Sequence, residues 1–356
     1  AGGNPFHHHQ DLNRLLAAWQ RPATVVVHDV WWTATARHAD IVLPATTTLE
    51  RNDIAASSRD RYIVAMHQAV PARGLARNDH DIFRDLAGSL GVEAAFTEGL
   101  DEMGWLRRMY GIFSTAASAR GVPVPDFDQF WAAGYIEMPD LGGVVPLSAF
   151  RADPKANRLE TPSGKIELFS TMIAGFEYPE CPGHPIWLEP KEWLGPAHTD
   201  EFPLHLISNQ PRNRLHSQLG MTRLSRRANV AGREPLRMNP EDAAARDIKE
   251  GDLVLVYNHR GRMLAGAHLD AGIRNNVVQV ATGAWYDPER PGEIGALDKH
   301  GNPNVLTGDR CTSRLGQGPA AHSALVQVTK WDGPVPEVTA FDPPEFEPPG
   351  GRGTVS

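Results

Sequence analysis

Cysteine is nearly absent from this chain: only Cys181 and Cys311 occur in 356 residues. They lie far apart and no C-x-x-C spacing exists, which argues against a zinc ribbon or an iron–sulfur cluster held by this chain's own thiolates. A single bridge between them is allowed, and nothing demands it. Such sparing use of cysteine fits a reducing compartment, so a cytoplasmic location is expected, with the periplasm left open. No signal peptide is visible. No run of 18 apolar residues exists, so no membrane span is expected. A formal net charge of −8 argues against a general nucleic-acid binder, which needs a basic face. Lysine is scarce, six among 35 basic residues, so the cationic groups are mostly the forked donors of arginine. Strings of the G-x-S-x-G, H-E-x-x-H, P-loop and G-x-G-x-x-G kinds are missing, so a nicotinamide site of the Rossmann type is disfavoured and the chain holds no nucleophile–base–acid set of its own.

What is present suits a folded, multi-domain chain, with 41% apolar residues and length for two or three domains. The first 95 residues read as α/β. Leu12, Leu15, Leu16 and Trp19 form one helical face within Asp11–Gln20, and Pro22 ends it. Thr24–Val27 reads as a buried parallel strand ending at His28-Asp29, where open α/β sheets place ligands. A short helix over Ala34–Ala39, strands at Ile41–Leu43 and Tyr62–Ala65, and a helix over Asp79–Leu90 with Ile82, Phe83, Leu86 and Leu90 on one face follow. Residues 96–200 read as a mixed connecting segment: helices at Asp101–Tyr110 and Asp126–Ala133, a strand-like region over Val144–Ser170 with a turn at Ser163-Gly164, and a Pro-rich linker over Pro179–Pro196. Residues 201–333 read as all-β with one short helix, N-capped by Asn239 with Pro240 in its first turn. Strands are expected at Phe202–Ile207, Gly251–Tyr257, Arg262–Ala267 after a hairpin turn at Gly261, and Asn276–Val280. Residues 334–356 read as a Pro/Gly-rich tail.

After the Phe202–Ile207 run comes the most chemically loaded stretch, Ser208-Asn209-Gln210-Pro211-Arg212-Asn213-Arg214-Leu215-His216-Ser217-Gln218. Arginine forks suit phosphate, and Asn and Gln amides suit the edge of a planar heterocycle. A polar surface loop is the competing reading. His7-His8-His9 invites a metal, yet adjacent histidines point different ways, so three in a row rarely share one ion. Asp29 reads as a cap for the next helix, and Arg51 as half of a surface ion pair with Glu50. Asp81 sits where acidic residues favour a helix dipole. Trp285 and Tyr286 read as core aromatics.

Taken together, several strings resemble one family. They are Ala1-Gly2-Gly3-Asn4-Pro5-Phe6-His7-His8-His9-Gln10-Asp11, His28-Asp29-Val30-Trp31-Trp32-Thr33-Ala34-Thr35-Ala36-Arg37, and Ala39 through Asp53. Thr161-Pro162-Ser163-Gly164-Lys165, Arg214-Leu215-His216-Ser217-Gln218, Gly283-Ala284-Trp285-Tyr286-Asp287-Pro288 and Gly301-Asn302-Pro303-Asn304 complete the set. The chain resembles the molybdopterin oxidoreductases of the dimethyl sulfoxide reductase family, and within them the biotin sulfoxide reductase branch. The resemblance implies a Rossmann-like α/β segment (1–95) and a C-terminal all-β double-psi barrel (201–333). It also implies a bis(molybdopterin guanine dinucleotide) molybdenum cofactor. Carried over by motif, its contacts are Gly2, Gly3, Asn4, His8, Asp29, Arg51, Asp81, Ser208, Gln210, Arg214, His216, Ser217, Asn304, Gln317 and Gly318; Arg37 is not among them, and its loss is expected to cost cofactor binding little.

Enzymes of this family are about twice this length, so the chain is expected to be a C-terminal half, with the molybdenum-ligating side chain in the preceding half. The parent is then expected to be an S- or N-oxide reductase, acting on biotin or methionine sulfoxide with an unidentified electron donor. The isolated chain is expected to be inactive. The alternative is a non-catalytic module that binds a dinucleotide or a partner protein.

Overall fold

The computed structural model describes residues 1–140, 142–195 and 200–345. Pro196, the expected end of the linker, lies outside the described residues. Strand β1, Val26–Asp29, and strand β2, Ile41–Pro44, form a two-stranded sheet. The rest divides into two compact units. One comprises Ala1, His28–Trp31 and Val42–Glu167, and the other Gly2–Val27, Trp32–Ile41 and the described residues from Leu168 onward.

The first unit is built on strands β3 (Asp53–Ala56), β4 (Tyr62–Met66) and β5 (Tyr135–Glu137). They form an antiparallel sheet in the order β3-β4-β5, with Ile54 opposite Ala65 and Ile63 opposite Ile136. Helices Glu102–Ala119 and Phe127–Ala133 supply Leu106, Tyr110, Phe127 and Phe130 to a core shared with Ala65. The Tyr110 and Phe130 rings stack with centroids 4.5 Å apart. Both helices begin at an aspartate. Asp101 accepts from Gly104 N at 2.8 Å, and Asp126 forms a reciprocal capping box with Gln129.

Several expectations for this region are corrected. The strand at Tyr62 does not join β1 and β2, because it pairs antiparallel with β3 and β5 instead. The first strand lies two residues later than expected and Val26 is 47% exposed, so it is not a buried parallel-sheet run. The helix Asp79–Ser89 buries Ile82 and Ala87 but leaves Leu86 and Leu90 outside. Among the described residues of 142–170 there is no strand, only the short helix Ser148–Ala152. The turn at Gly164 does form, closed by Gly164 N donating to Thr161 O at 2.8 Å.

The second unit is a closed barrel of β6 (Leu204–Ile207), β7 (Pro235–Met238), β8 (Leu253–Tyr257), β9 (Arg262–Leu269), β10 (Val277–Val280) and β11 (Ala324–Lys330), in the order β10-β6-β11-β8-β9-β7. The pairs β6–β10 and β7–β9 are parallel, and the others antiparallel. Period-two alternation fills the interior: Leu204, Leu206, Val254, Val256, Val278 and Val280 are fully buried. Each such side chain contributes roughly 1.5–3 kcal/mol relative to exposure. Asn239 caps helix Pro240–Ala244, accepting from Glu241 N at 2.9 Å. Helix Leu12–Trp19, capped by Asp11, adds Leu12 and Leu16 to the same core.

The Pro-rich linker is pinned to the barrel unit. Glu192 takes both Arg260 guanidinium nitrogens at 2.7 Å and Arg310 at 2.7 Å. The C-terminal stretch is also no loose tail over its described part. Thr339 N and Oγ1 each donate to Asp287 at 2.8 Å, and Ala340 is 2% exposed.

Candidate cofactor-binding site

The loaded stretch leaves β6 at Ser208, which is buried, and its next backbone carbonyl, Asn209 O, accepts from Thr282 N at 2.8 Å. The chain is thus tied to the residues that follow β10. Further on it turns sharply at His216, in the left-handed region at φ 50°. The turn lies hard against Gly283, where a Cβ would stand 2.2 Å from the His216 carbonyl carbon. Only glycine permits that approach, and its own φ of +92° favours glycine again. Arg214 fixes the turn from below. Its Nε donates to His216 O at 3.0 Å and its Nη2 to Glu234 Oε2 at 2.8 Å. Burial pushes the Glu234 carboxyl up, against the opposing pull of Arg214. Trp285 Nε1 donates to Ser217 O at 3.0 Å. The outer side of the turn presents Gln210 and His216, exposed and joined at 3.1 Å from Gln210 Nε2 to His216 Nδ1. Beside it, Asn209, Arg212, Arg214, Glu234, Arg237 and Gln279 line a cleft of about 130 Å³. Asn209 Oδ1 is buried there without a protein partner.

The N-terminal motif belongs to the same unit. Pro5–His8 is one helical turn, which separates three histidines that sequence alone presents as equals. His7 points inward: it is 1% exposed, neither ring nitrogen has a protein partner, and its ring lies 4.9 Å from that of Trp285. Burial first, then the His300 and His8 rings, lower its pKa to about 3. His8 faces outward, and its pKa is lowered by partial burial, then by His9 and His216. The field of His216 at His8 places the two predicted histidines near each other. Asn4 accepts from the Thr35 hydroxyl. Gly2 and Gly3 have open space around them, with Gly2 at φ +71°.

The remaining barrel-unit candidates sit differently. Asn304 is 2% exposed and faces inward, donating to His7 O at 3.3 Å; it holds the histidine turn. Gln317 is exposed with φ 50° and donates to Arg314 O at 3.2 Å. Gly318 O accepts from Thr312 N at 2.7 Å. Their loop is anchored through Arg314, which pairs with Glu180 at 2.7 Å.

In the other unit, Asp29 Oδ1 accepts from Val30 N at 2.8 Å and Trp31 N at 3.3 Å. Thr33, not Asp29, caps the helix that follows. Arg51 donates to Thr46 O at 3.1 Å and reaches Asp53 at 3.4 Å, while Glu50 turns to Thr47 and the Arg73 backbone. Arg51 lines a polar cleft of about 210 Å³ with Asn78, Asp79, His80, Glu102 and Trp105. Both His80 ring nitrogens and Trp105 Nε1 are buried without a hydrogen-bond partner, with Asp81 Oδ1 3.7 Å from His80 Nδ1. Asp81 is outside that lining and pairs with Arg84 at 2.8 Å. Sequence reasoning left His7 and Asn209 off the contact list and did not single out His80 or Trp105; a polar side chain's missing partner becomes visible only in three dimensions. Among the described residues no group of three or more His, Cys, Asp or Glu could hold a metal ion, and no helix is long and apolar enough to cross a membrane.

Residues 1–89 match the family described as Molybdopterin oxidoreductase, and residues 204–325 match the Molydopterin dinucleotide binding domain. The chain is 48% identical over 349 residues to the dimethyl sulfoxide/trimethylamine N-oxide reductase of Cereibacter sphaeroides, covering 97% of this chain and 42% of that protein. It is 48% identical over 350 residues to the trimethylamine-N-oxide reductase of Salmonella typhi, with 97% and 41% covered. The chain thus spans about two fifths of the length of these relatives. Among solved structures, acetylene hydratase from Pelobacter acetylenicus is similar in fold, with a TM-score of 0.69 at 20% identity over 92% of this chain and 43% of that one. The chain thus carries a molybdopterin oxidoreductase region and a molydopterin dinucleotide binding domain, its relatives are named dimethyl sulfoxide/trimethylamine N-oxide reductases, and the cofactor these indicate is bis(molybdopterin guanine dinucleotide) molybdenum.

Proposed function

We propose that the protein containing this chain is a molybdenum-dependent S- or N-oxide reductase and that this chain binds parts of both guanine dinucleotides. One observation carries the reading. The barrel gathers Asn209, Gln210, Arg212, Arg214, His216 and Ser217 into one turn, with a buried, unpartnered Asn209 oxygen beside it. That donor set fits the group: guanidinium forks for phosphate, amides and imidazole for a heterocycle's edge. In the other unit, the unpartnered His80 and Trp105 nitrogens in the Arg51 cleft fit a polar ligand equally well. The bound cofactor would supply the two-electron oxygen-atom chemistry; the protein positions and tunes it.

This chain's residues would hold and orient. Arg214, engaged with Glu234, fixes the turn so that Gln210 and His216 face outward as a rigid pair. His7 stays neutral near pH 7 and offers one donor and one acceptor. Two finer fold readings accompany this proposal. The barrel is of the double-psi kind, supported by its two parallel pairs, and the segment 1–95 is Rossmann-like, supported only by the β1–β2 sheet and its flanking helices. We place the substrate among small oxides, on the names of the relatives; biotin or methionine sulfoxide rests on the sequence resemblance alone. A cytoplasmic location rests on low cysteine content.

The test is a metal and nucleotide assay of the full-length protein. Molybdenum, and two guanine nucleotides per molybdenum released by acid, are expected, with turnover on a panel of dimethyl sulfoxide, trimethylamine N-oxide, biotin sulfoxide and methionine sulfoxide using a reduced viologen donor. A protein purified from molybdate-replete cells without guanine nucleotide would leave the reading unsupported, and a non-catalytic module would take its place.

A further inference from the structure

The described C-terminal residues cross the barrel unit as a strap. Arg233 donates to Pro336 O, and Arg37 donates to Thr339 O at 2.9 Å and to Asp342 O. Lys299 Nζ donates to Thr339 Oγ1 at 2.8 Å, and Thr339 in turn is bound twice by the buried Asp287. Six polar contacts on Pro336, Thr339 and Asp342 are more than a solvated tail needs, and those on Thr339 and Asp342 flank Phe341. Phe341 sets its ring edge-on to Trp285, with centroids 5.1 Å apart, and to His300 at the same distance. Arg226 covers it at 5.8 Å.

Trp285 is the residue through which this strap can act. It is 5% exposed and its three ties run to three places. Its indole nitrogen holds Ser217 O, its ring packs on His7, and its carbonyl accepts from His300 Nδ1 at 3.0 Å. Gly220 closes the remaining side, where a Cβ would stand 3.2 Å from the indole nitrogen. Without Phe341 the indole would lose its edge-on aromatic neighbour and regain freedom to rotate away from Ser217. Rotamer freedom regained at one buried aromatic is felt by what it holds.

We infer that Phe341 is a positioning residue for the cofactor-binding turn at His216-Ser217, acting through Trp285, with Thr339 as the strap's anchor. The inference rests on the proposed role of that turn. The test is hydrogen exchange on the full-length, cofactor-free protein, with guanine content measured separately on protein from molybdate-replete cells. Phe341→Ala is expected to speed amide exchange across Arg214–Gln218 about fivefold, the scale of one lost aromatic pair, with β8 unchanged. Thr339→Val, which leaves the aromatic contacts intact but frees the anchor, is expected to do the same. Phe341→Tyr, which keeps the ring, is expected to restore wild-type exchange, and Phe341→Leu, which fills space without a ring, is not, which sets the aromatic contact apart from space-filling. Guanine content is expected to fall with Phe341→Ala and recover with Phe341→Tyr. Unchanged exchange over Arg214–Gln218 in both Phe341→Ala and Thr339→Val would overturn the inference, as would loosened exchange with full guanine content. If wild-type protein itself lacks guanine nucleotide, the cofactor reading fails on its own, whatever the exchange shows.

Discussion

Arg214 Nη2 and Glu234 Oε2 meet at 2.8 Å with each side chain only 6% exposed. A forked donor that sequence reading assigns to a ligand is therefore partly spent inside the protein. The turn it holds, through Nε and His216 O, is the part that faces outward.

Arg214→Ala is therefore expected to destabilise the barrel unit by about 3–5 kcal/mol, because it strands a buried carboxylate and not just one hydrogen bond. The double variant with Glu234→Ala should recover much of that loss. Urea denaturation followed by far-ultraviolet circular dichroism measures both. A loss below about 1 kcal/mol for the single variant would mean that water reaches Glu234.

Gly283→Ala should act on the same turn from the other side. The new methyl would have to displace the His216 carbonyl from 2.2 Å, at a φ that L-residues rarely adopt. Strain of about 1–3 kcal/mol is expected, together with loss of the Gln210–His216 hydrogen bond. A crystal structure of the variant checks this, and an unmoved His216 would refute it.

The linker pin should make the protein acid-sensitive. Burial alone would raise the Glu192 pKa, but the bidentate Arg260 bond, the Leu325 amide and Arg310 outweigh it and lower it from 4.5 to about 2. A depressed carboxylate contributes stability that is complete above pH 4.5 and lost as pH falls through about 2. Glu192→Gln should be less stable than wild type at pH 7, with the gap closing between those limits. Parallel stability–pH curves for the two proteins would contradict it.

His7 should show no titration between pH 8 and pH 5, because its pKa is lowered to about 3 by burial and by the rings of His300 and His8. Its stabilising neutral form is lost only as pH falls from 6.5 through about 3. Ring proton shifts in a nuclear magnetic resonance titration report it directly, and a midpoint near the ordinary histidine value would show that His7 is solvated.

Much of the barrel was legible in the chain. The β8–β9 hairpin through Gly261 and the Asn239-Pro240 helix start carry local signals, and the structure realises both. β7 was passed over because Pro235-Leu236-Arg237-Met238 is too short for alternation to register, and it is fixed by partners on both sides. The sheet at Tyr62 went wrong for a different reason. Periodicity marks a strand but not its neighbours, and β4 finds antiparallel partners, one of them β5 beyond four helices. Among the site candidates, the turn around His216 stood out by residue type. That His7 faces inward depends on one helical turn, and that Arg37 anchors Thr339 depends on a segment whose composition suggested a loose tail. Arg37 thus packs that segment, a role separate from the expectation that its loss costs the cofactor little.

The order of strands around the barrel also governs how it can assemble. β6 is the first barrel strand in the chain, yet its partners are β10 on one side and β11 on the other. While the polypeptide emerges from the ribosome, β6 therefore waits with both edges bare until the rest of the barrel has been made. The β8–β9 hairpin can form at once, but closure is the last event and carries the loop-closure entropy of the whole domain. The turn beyond β6 inherits the delay, since its tie to Thr282 forms only after β10 is in place. On that strand order, the turn is fixed in place only once β10 has been made.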